Sequence, residues 1–94
     1  MDEAKWYVVH TYSGYENKVL TSLEAVIENR NLHDLIQEVT IPYQTSEEIK
    51  DGKQIIKKEM LFPSYVFVKM VLTDETWYIV RNTRGVTGFV GANA

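Results

Sequence analysis

Hydrophobic and polar positions change their period several times along the chain, and each change marks an element. Trp6 to His10 is a short aromatic and β-branched run, which predicts a strand. Ser13-Gly14-Tyr15-Glu16 reads as a capping box, with the acid three positions after the cap. Behind it Val19, Leu20, Leu23, Val26 and Ile27 recur at helical spacing, while Glu24, Glu28, Asn29 and Arg30 take the other side. The spacing predicts a helix from about Tyr15 to Arg30, with Asn29 or Asn31 as its stop. Val39, Ile41 and Tyr43 alternate with polar neighbours, as a half-exposed strand does, and Pro42 assigns it to an edge or a bulge. Asp51-Gly52 is a turn signal, Ile55 to Phe62 a returning strand, and Phe62-Pro63-Ser64 a break. From Tyr65 to Val71 both faces are apolar, which fits a central strand or one whose second face meets a partner. Thr73 caps a second, shorter helix, with Asp74 and Glu75 at its positive end and Arg81 in its last turn. Val86 to Val90 is a last strand, and Gly91 to Ala94 carries no fold signal.

The order β-α-β-β-β-α-β predicts an α+β fold: an antiparallel sheet of about four strands with two helices packed on one face. No repeat or linker divides the chain, so residues 1–94 read as a single domain. The second face of such a sheet is uncovered, yet the pattern gives it aromatics. Trp6, Tyr7, Phe62, Tyr65, Phe67 and Phe89 form the pool, most of it core. Trp6 and Tyr7 alternate: with Trp6 under the helices, Tyr7 faces outward with Phe62 and Tyr65, and Pro63 stiffens the corner between those two. Exposed apolar patches mark docking surfaces, and a rigid aromatic corner is a good protein anchor.

Composition closes several other routes. With 45% hydrophobic and 24% charged residues the chain is not a disordered tail. No apolar run approaches the roughly 18 residues of a membrane span, and the acidic start lacks the apolar region of a signal peptide. The absence of cysteine excludes disulfides, thiol catalysis and cysteine-held metals, and fits a reducing cytoplasm. There is no Walker loop or dinucleotide fingerprint, and no histidine–carboxylate set at metal spacing, so neither a metal nor a cofactor is expected. His33 lies in a polar loop. His10 and Ser13 lack a third orienting group for nucleophilic catalysis. Gly85-Val86-Thr87-Gly88 faintly resembles the anion cradle of small acylphosphatases, but that loop leads into a helix and this one into a strand. An enzyme is not expected; a small-ligand-binding domain of similar fold is the other class.

Charge changes the picture in one place. The net charge of −3 argues against a protein that grips duplex nucleic acid by its phosphates. From Thr76 onward, however, Arg81 and Arg84 stand with no acid at all. Arg81-Asn82-Thr83-Arg84 offers two guanidiniums, an amide and a hydroxyl, a set suited to nucleic-acid contact. The bland alternative is a helix C-cap and loop. The four lysines from Lys50 to Lys58 are balanced by Glu47, Glu48, Asp51 and Glu59, as in a solvated hairpin.

Three stretches, Trp6-Tyr7-Val8-Val9-His10-Thr11-Tyr12-Ser13-Gly14-Tyr15-Glu16, Phe62-Pro63-Ser64-Tyr65-Val66 and Val80-Arg81-Asn82-Thr83-Arg84-Gly85-Val86-Thr87-Gly88-Phe89-Val90-Gly91, occur in an order and spacing that resembles the N-terminal domain of the NusG family of bacterial transcription factors. The resemblance runs from about Lys5 to Gly91. It implies an α/β sandwich that docks an aromatic-lined face on the β′ clamp helices of RNA polymerase and spans the cleft toward the β lobe. It also implies an edge near the non-template DNA strand. Tyr7, Phe62, Pro63, Ser64 and Tyr65 match the polymerase-binding corner. His10 lies near the approach to the β gate loop, and Asn82 and Thr83, flanked by Arg81 and Arg84, match the strand-facing positions. The family most often has glycine where Ser64 stands, and Arg84 often aligns with proline; operon-specific antiterminator paralogues also carry Arg-Gly-Val there, so such a paralogue is the alternative reading of the chain. The family's second domain, a KOW barrel that contacts Rho or the ribosome, has no counterpart in these residues, so the chain reads as an excised, monomeric fragment.

Overall fold

The structure is a computed structural model and describes residues 3–90; the unassigned Gly91–Ala94 segment lies outside them. Its order is β1 (Lys5–Thr11), α1 (Glu16–Arg30), β2 (Ile36–Thr40), β3 (Tyr43–Lys50), β4 (Lys53–Met60), β5 (Tyr65–Met70), α2 (Asp74–Arg81) and β6 (Val86–Phe89). Four strands form one antiparallel sheet in the order β2-β5-β1-β6, and β3 and β4 form a separate hairpin. The expected α+β fold is thus present, with the doubly apolar β5 in the interior of the sheet.

One core joins the layers. Val66, Val68 and Met70 of β5 and Val9 of β1 meet Val19, Leu23 and Ile27 of α1 and Ile79 and Val80 of α2, all buried. Both helices therefore cover the same sheet face, each by its apolar stripe. Asn31 ends α1 in the left-handed conformation at φ 58°. Thr73 caps α2 in a reciprocal box with Thr76.

Two local expectations are corrected. Ser13 does not cap α1. Tyr15 holds the cap position without a side-chain hydrogen bond, and the preceding turn is closed by the Tyr15 N–H donating to the Tyr12 carbonyl at 3.0 Å. Glu16 is instead buried and reaches across the molecule. The predicted strand through Val39, Ile41 and Tyr43 is two strands: β2 stops at Thr40 and β3 starts at Tyr43, in different sheets. Pro42 lacks the N–H a continuous ladder needs, and the chain bends there.

The hairpin is solvated, as its balanced charge suggests. Asp51 and Gly52 take φ 55° and 75°, the positive pair a two-residue hairpin turn demands. Ile49 and Ile56 near its tip are 83% and 64% exposed. Lys57 pairs with Glu48 at 3.2 Å, and the Lys58 ammonium sits 4.1 Å from the Tyr43 ring centre. Among the described residues no helix is long and apolar enough to cross a membrane.

Candidate docking groove and nucleic-acid edge

The register of β1 against β5 decides which side chains the open sheet face carries. Val8 stands opposite Phe67, His10 opposite Tyr65 and Trp6 opposite Lys69. Directly opposed residues share a face, and the alternating partners Val9 and Val66 are wholly buried under the helices. Trp6, Val8, His10, Tyr65 and Phe67 therefore line the face the helices leave open. This inverts the expected placing of Trp6 and Tyr7. Tyr7 is half-buried on the helix side, its ring edge-on to Phe89 at 6.3 Å, and Phe89 stacks in turn on Trp77 of α2 at 6.4 Å. Trp6 is the exposed member of the pair, at 50%. Tyr7 is thus not brought to the corner with Phe62 and Tyr65.

Those two do meet. Val8, Phe62, Tyr65 and Phe67 line an almost wholly apolar open groove of about 310 Å³. Phe62 is 53% exposed and leans on Phe67 with ring centres 6.3 Å apart. The sequence reading missed Val8 and Phe67 as lining residues, although the two-faced apolarity of β5 signalled that Phe67 would have its own surface.

The corner between Phe62 and Tyr65 is built on Ser64, whose φ is 72°. That left-handed conformation costs a residue with a β-carbon roughly 1–2 kcal/mol, which is why the glycine expected there from the resemblance would suit the corner. Both backbone groups of Ser64 are held. Its carbonyl accepts from Thr11 N–H at 2.7 Å, and its N–H donates to the Glu16 carboxylate at 2.8 Å.

His10 extends the face beside the groove. Its ring packs edge-on against Tyr65 at 5.2 Å. The Thr87 hydroxyl donates to the His10 carbonyl at 3.1 Å, and the same hydroxyl bonds to His10 Nδ1. One hydroxyl carries one proton, so with that proton on the carbonyl the ring Nδ1–H is the donor in the second bond.

The second constellation lies at the end of α2. Ser22, Val26 and Arg30 of α1 and Tyr78, Asn82, Thr83 and Arg84 line part of a cleft of about 250 Å³. Asn82, Thr83 and Arg84 are brought together as expected. Arg81 is not: it runs over β6, where a β-carbon added to Gly88 would lie 3.9 Å from its Nε. Arg30 takes its place as the second cation, distant in sequence and unsignalled by any local motif. Asn82 Nδ2 donates to the Tyr78 carbonyl at 2.8 Å, and the Thr83 hydroxyl donates to the Ile79 carbonyl at 2.8 Å. Both side chains thus close the helix, as the bland reading held. Each also keeps capacity: Asn82 retains its carbonyl oxygen and one N–H, and Thr83 retains acceptor lone pairs only.

Gly85 beside them is a packing glycine. At φ 101° it approaches α1 so closely that a β-carbon would stand 2.9 Å from Tyr15 Cδ1 and 3.1 Å from Val19 Cγ2. This explains the glycine without an anion cradle. Among the described residues, no three His, Asp or Glu side chains cluster as metal ligands would.

The structure is thus a two-layer module with an apolar groove on one face and an amide–guanidinium cleft on the other. A family model described as "Transcription termination factor nusG" matches residues 4–94. The transcription termination/antitermination protein NusG of Bacillus subtilis is 53% identical over 90 residues, which cover 96% of this chain and 51% of that protein. Its counterpart in Halalkalibacterium halodurans is 54% identical over 90 residues, with the same coverage. A solved structure of Thermotoga maritima NusG superposes with a TM-score of 0.76 at 36% identity, over 98% of this chain and 48% of that one. The chain belongs to the NusG family and spans about half the length of the curated relatives it matches.

Proposed function

We propose that this domain is a transcription elongation factor module that docks on RNA polymerase through the Val8–Phe62–Tyr65–Phe67 groove. In this reading the groove seats on the β′ clamp helices, and the His10 end of the sheet lies toward the β lobe and gate loop. The cleft of Arg30, Asn82, Thr83 and Arg84 faces the non-template strand in the bubble. The domain then modulates pausing and elongation by bridging the cleft, and performs no chemistry of its own. The observation that carries the reading is the groove: apolar, built on an uncovered sheet face, in a chain whose relatives are named for transcription termination and antitermination. A protein of net charge −3 needs such a protein contact to supply binding energy, because two cations in a cleft give little.

Titration of polymerase with the domain tests this. Phe62→Ala should weaken binding by about 2 kcal/mol or more, the cost of removing an anchor aromatic. A β′ clamp-helix peptide should compete. Because Phe62 is 53% exposed in the free domain, its loss should leave the melting transition nearly unchanged. Unaltered affinity in Phe62→Ala would reject the groove as the docking site.

A further inference from the structure

Glu16 is a carboxylate that the proposed docking does not use directly, yet it is 3% exposed. A buried charge is costly unless it is hydrogen-bonded. Its position in the first turn of α1, where helical N–H groups point outward, makes the charge tolerable. The partner the structure gives it is the Ser64 N–H, at 2.8 Å and 48 residues away in sequence. Ser64 is the left-handed residue directly behind Phe62 and Pro63, at φ 72°. On its other side the Ser64 carbonyl is fixed by Thr11 N–H at 2.7 Å. The corner is therefore pinned by β1 and by α1 at one residue whose backbone conformation is unfavourable for serine. Pro63, with its own φ set by its ring, passes that constraint on to Phe62.

We propose that Glu16 is a positioning residue for the docking groove: its buried carboxylate holds Ser64 in the left-handed turn and so presets the angle at which Phe62 and Tyr65 meet a partner. This rests on the docking reading above. A charge-assisted hydrogen bond to a backbone N–H is among the stronger ones available. An anchor side chain held in its bound orientation loses less freedom on binding. Without the carboxylate, Ser64 can relax toward negative φ, and the groove loses its fixed shape while the distant core stays packed.

Three variants and one exchange measurement test the proposal with RNA polymerase as the titrant. Glu16→Leu fills the same space without an acceptor and should weaken polymerase binding about tenfold while the domain stays folded. Glu16→Gln keeps a carbonyl oxygen for the Ser64 N–H and should lose less than about threefold. Adding Ser64→Gly to Glu16→Leu should recover most of the loss, because glycine holds a positive φ unaided. In the wild-type domain the Ser64 amide should exchange with deuterium far more slowly than an open corner allows, and this protection should vanish locally in Glu16→Leu. A folded Glu16→Leu with wild-type affinity overturns the proposal, as does a Ser64→Gly addition that restores nothing. If Glu16→Leu does not fold, wild-type exchange decides: an unprotected Ser64 amide rejects the proposal and a protected one upholds it. Phe62→Ala run alongside separates the two readings. Unchanged affinity there removes the docking site itself, whereas failure of the Glu16 variants alone removes only the positioning role.

Discussion

Two residues show how far single positions constrain this domain. Ser64 sits at φ 72° and Gly85 at φ 101°. Only Gly85 has no room for a β-carbon, with Tyr15 Cδ1 at 2.9 Å from where one would stand. The two substitutions should therefore move stability in opposite directions. Ser64→Gly removes the left-handed penalty and adds freedom to the unfolded chain, for a net gain of about 0.5–1 kcal/mol. Gly85→Ala combines the same backbone penalty with overpacking against α1 and should cost about 3 kcal/mol. Urea titration of both variants checks the pair; a destabilised Ser64→Gly would mean the hydroxyl or β-carbon makes a contact that the backbone geometry does not reveal. Ser64 was legible from the family resemblance as a departure from glycine. The Glu16–Ser64 hydrogen bond was not legible, since the Ser13-to-Glu16 spacing points to a local cap and no pattern reports a partner 48 residues away.

At the scale of elements, α2 was read nearly whole, because capping chemistry is local. Thr73, the two acids behind it and Arg81 all stand where the pattern placed them. The structure adds Thr76, fully buried, whose hydroxyl accepts from Thr73 N–H at 2.8 Å and donates to the Val71 carbonyl at 2.8 Å. Thr76→Val keeps the shape and strands both partners, so it should cost about 2 kcal/mol. A loss below ~0.5 kcal/mol in thermal unfolding would show that water reaches the Thr73 N–H. The strands were harder. β1 is apolar at Trp6, Tyr7, Val8 and Val9 alike, so alternation gives a period but no phase. The phase came from tertiary register, with Val9 and Thr11 fully buried beneath the helices. A one-residue change of phase exchanges every side chain between faces. That is why Trp6 and Tyr7 were inverted while Phe62 and Tyr65, fixed by the corner rather than by alternation, were correctly paired. Arg30 was invisible for a related reason: the cleft forms only when the ends of two helices distant in sequence are packed together.

The whole molecule separates its two candidate surfaces, and that makes their roles independently testable. The groove lies on the open sheet face. The cleft is formed by α1 and the end of α2 on the covered face. Substitutions that share no partner and lie on opposite sides of a packed layer add. Phe62→Ala should therefore lower recruitment to polymerase equally on all templates. Thr83 should act differently. Its hydroxyl proton is committed to the Ile79 carbonyl, so it offers only acceptor lone pairs outward. A base edge that donates can use them, and a phosphate cannot. Thr83→Ser retains the acceptor and should keep template-dependent pausing. Thr83→Val is isosteric but lacks it and should lose the sequence-dependent component while recruitment stays intact. Arg84→Ala removes a charge that any phosphate can meet, so its effect should be similar across sequences. The free domain, at net charge −3, should hold single-stranded DNA weakly and release it as salt rises. A salt titration of labelled single-stranded DNA checks that last expectation, and single-round transcription on templates that differ only in the non-template strand of the bubble reads the others. Thr83→Val with wild-type pausing on every such template would leave Asn82 and Thr83 as the closing turn of α2 and nothing more, whereas additive losses in Phe62→Ala/Thr83→Val would establish two surfaces working through separate contacts.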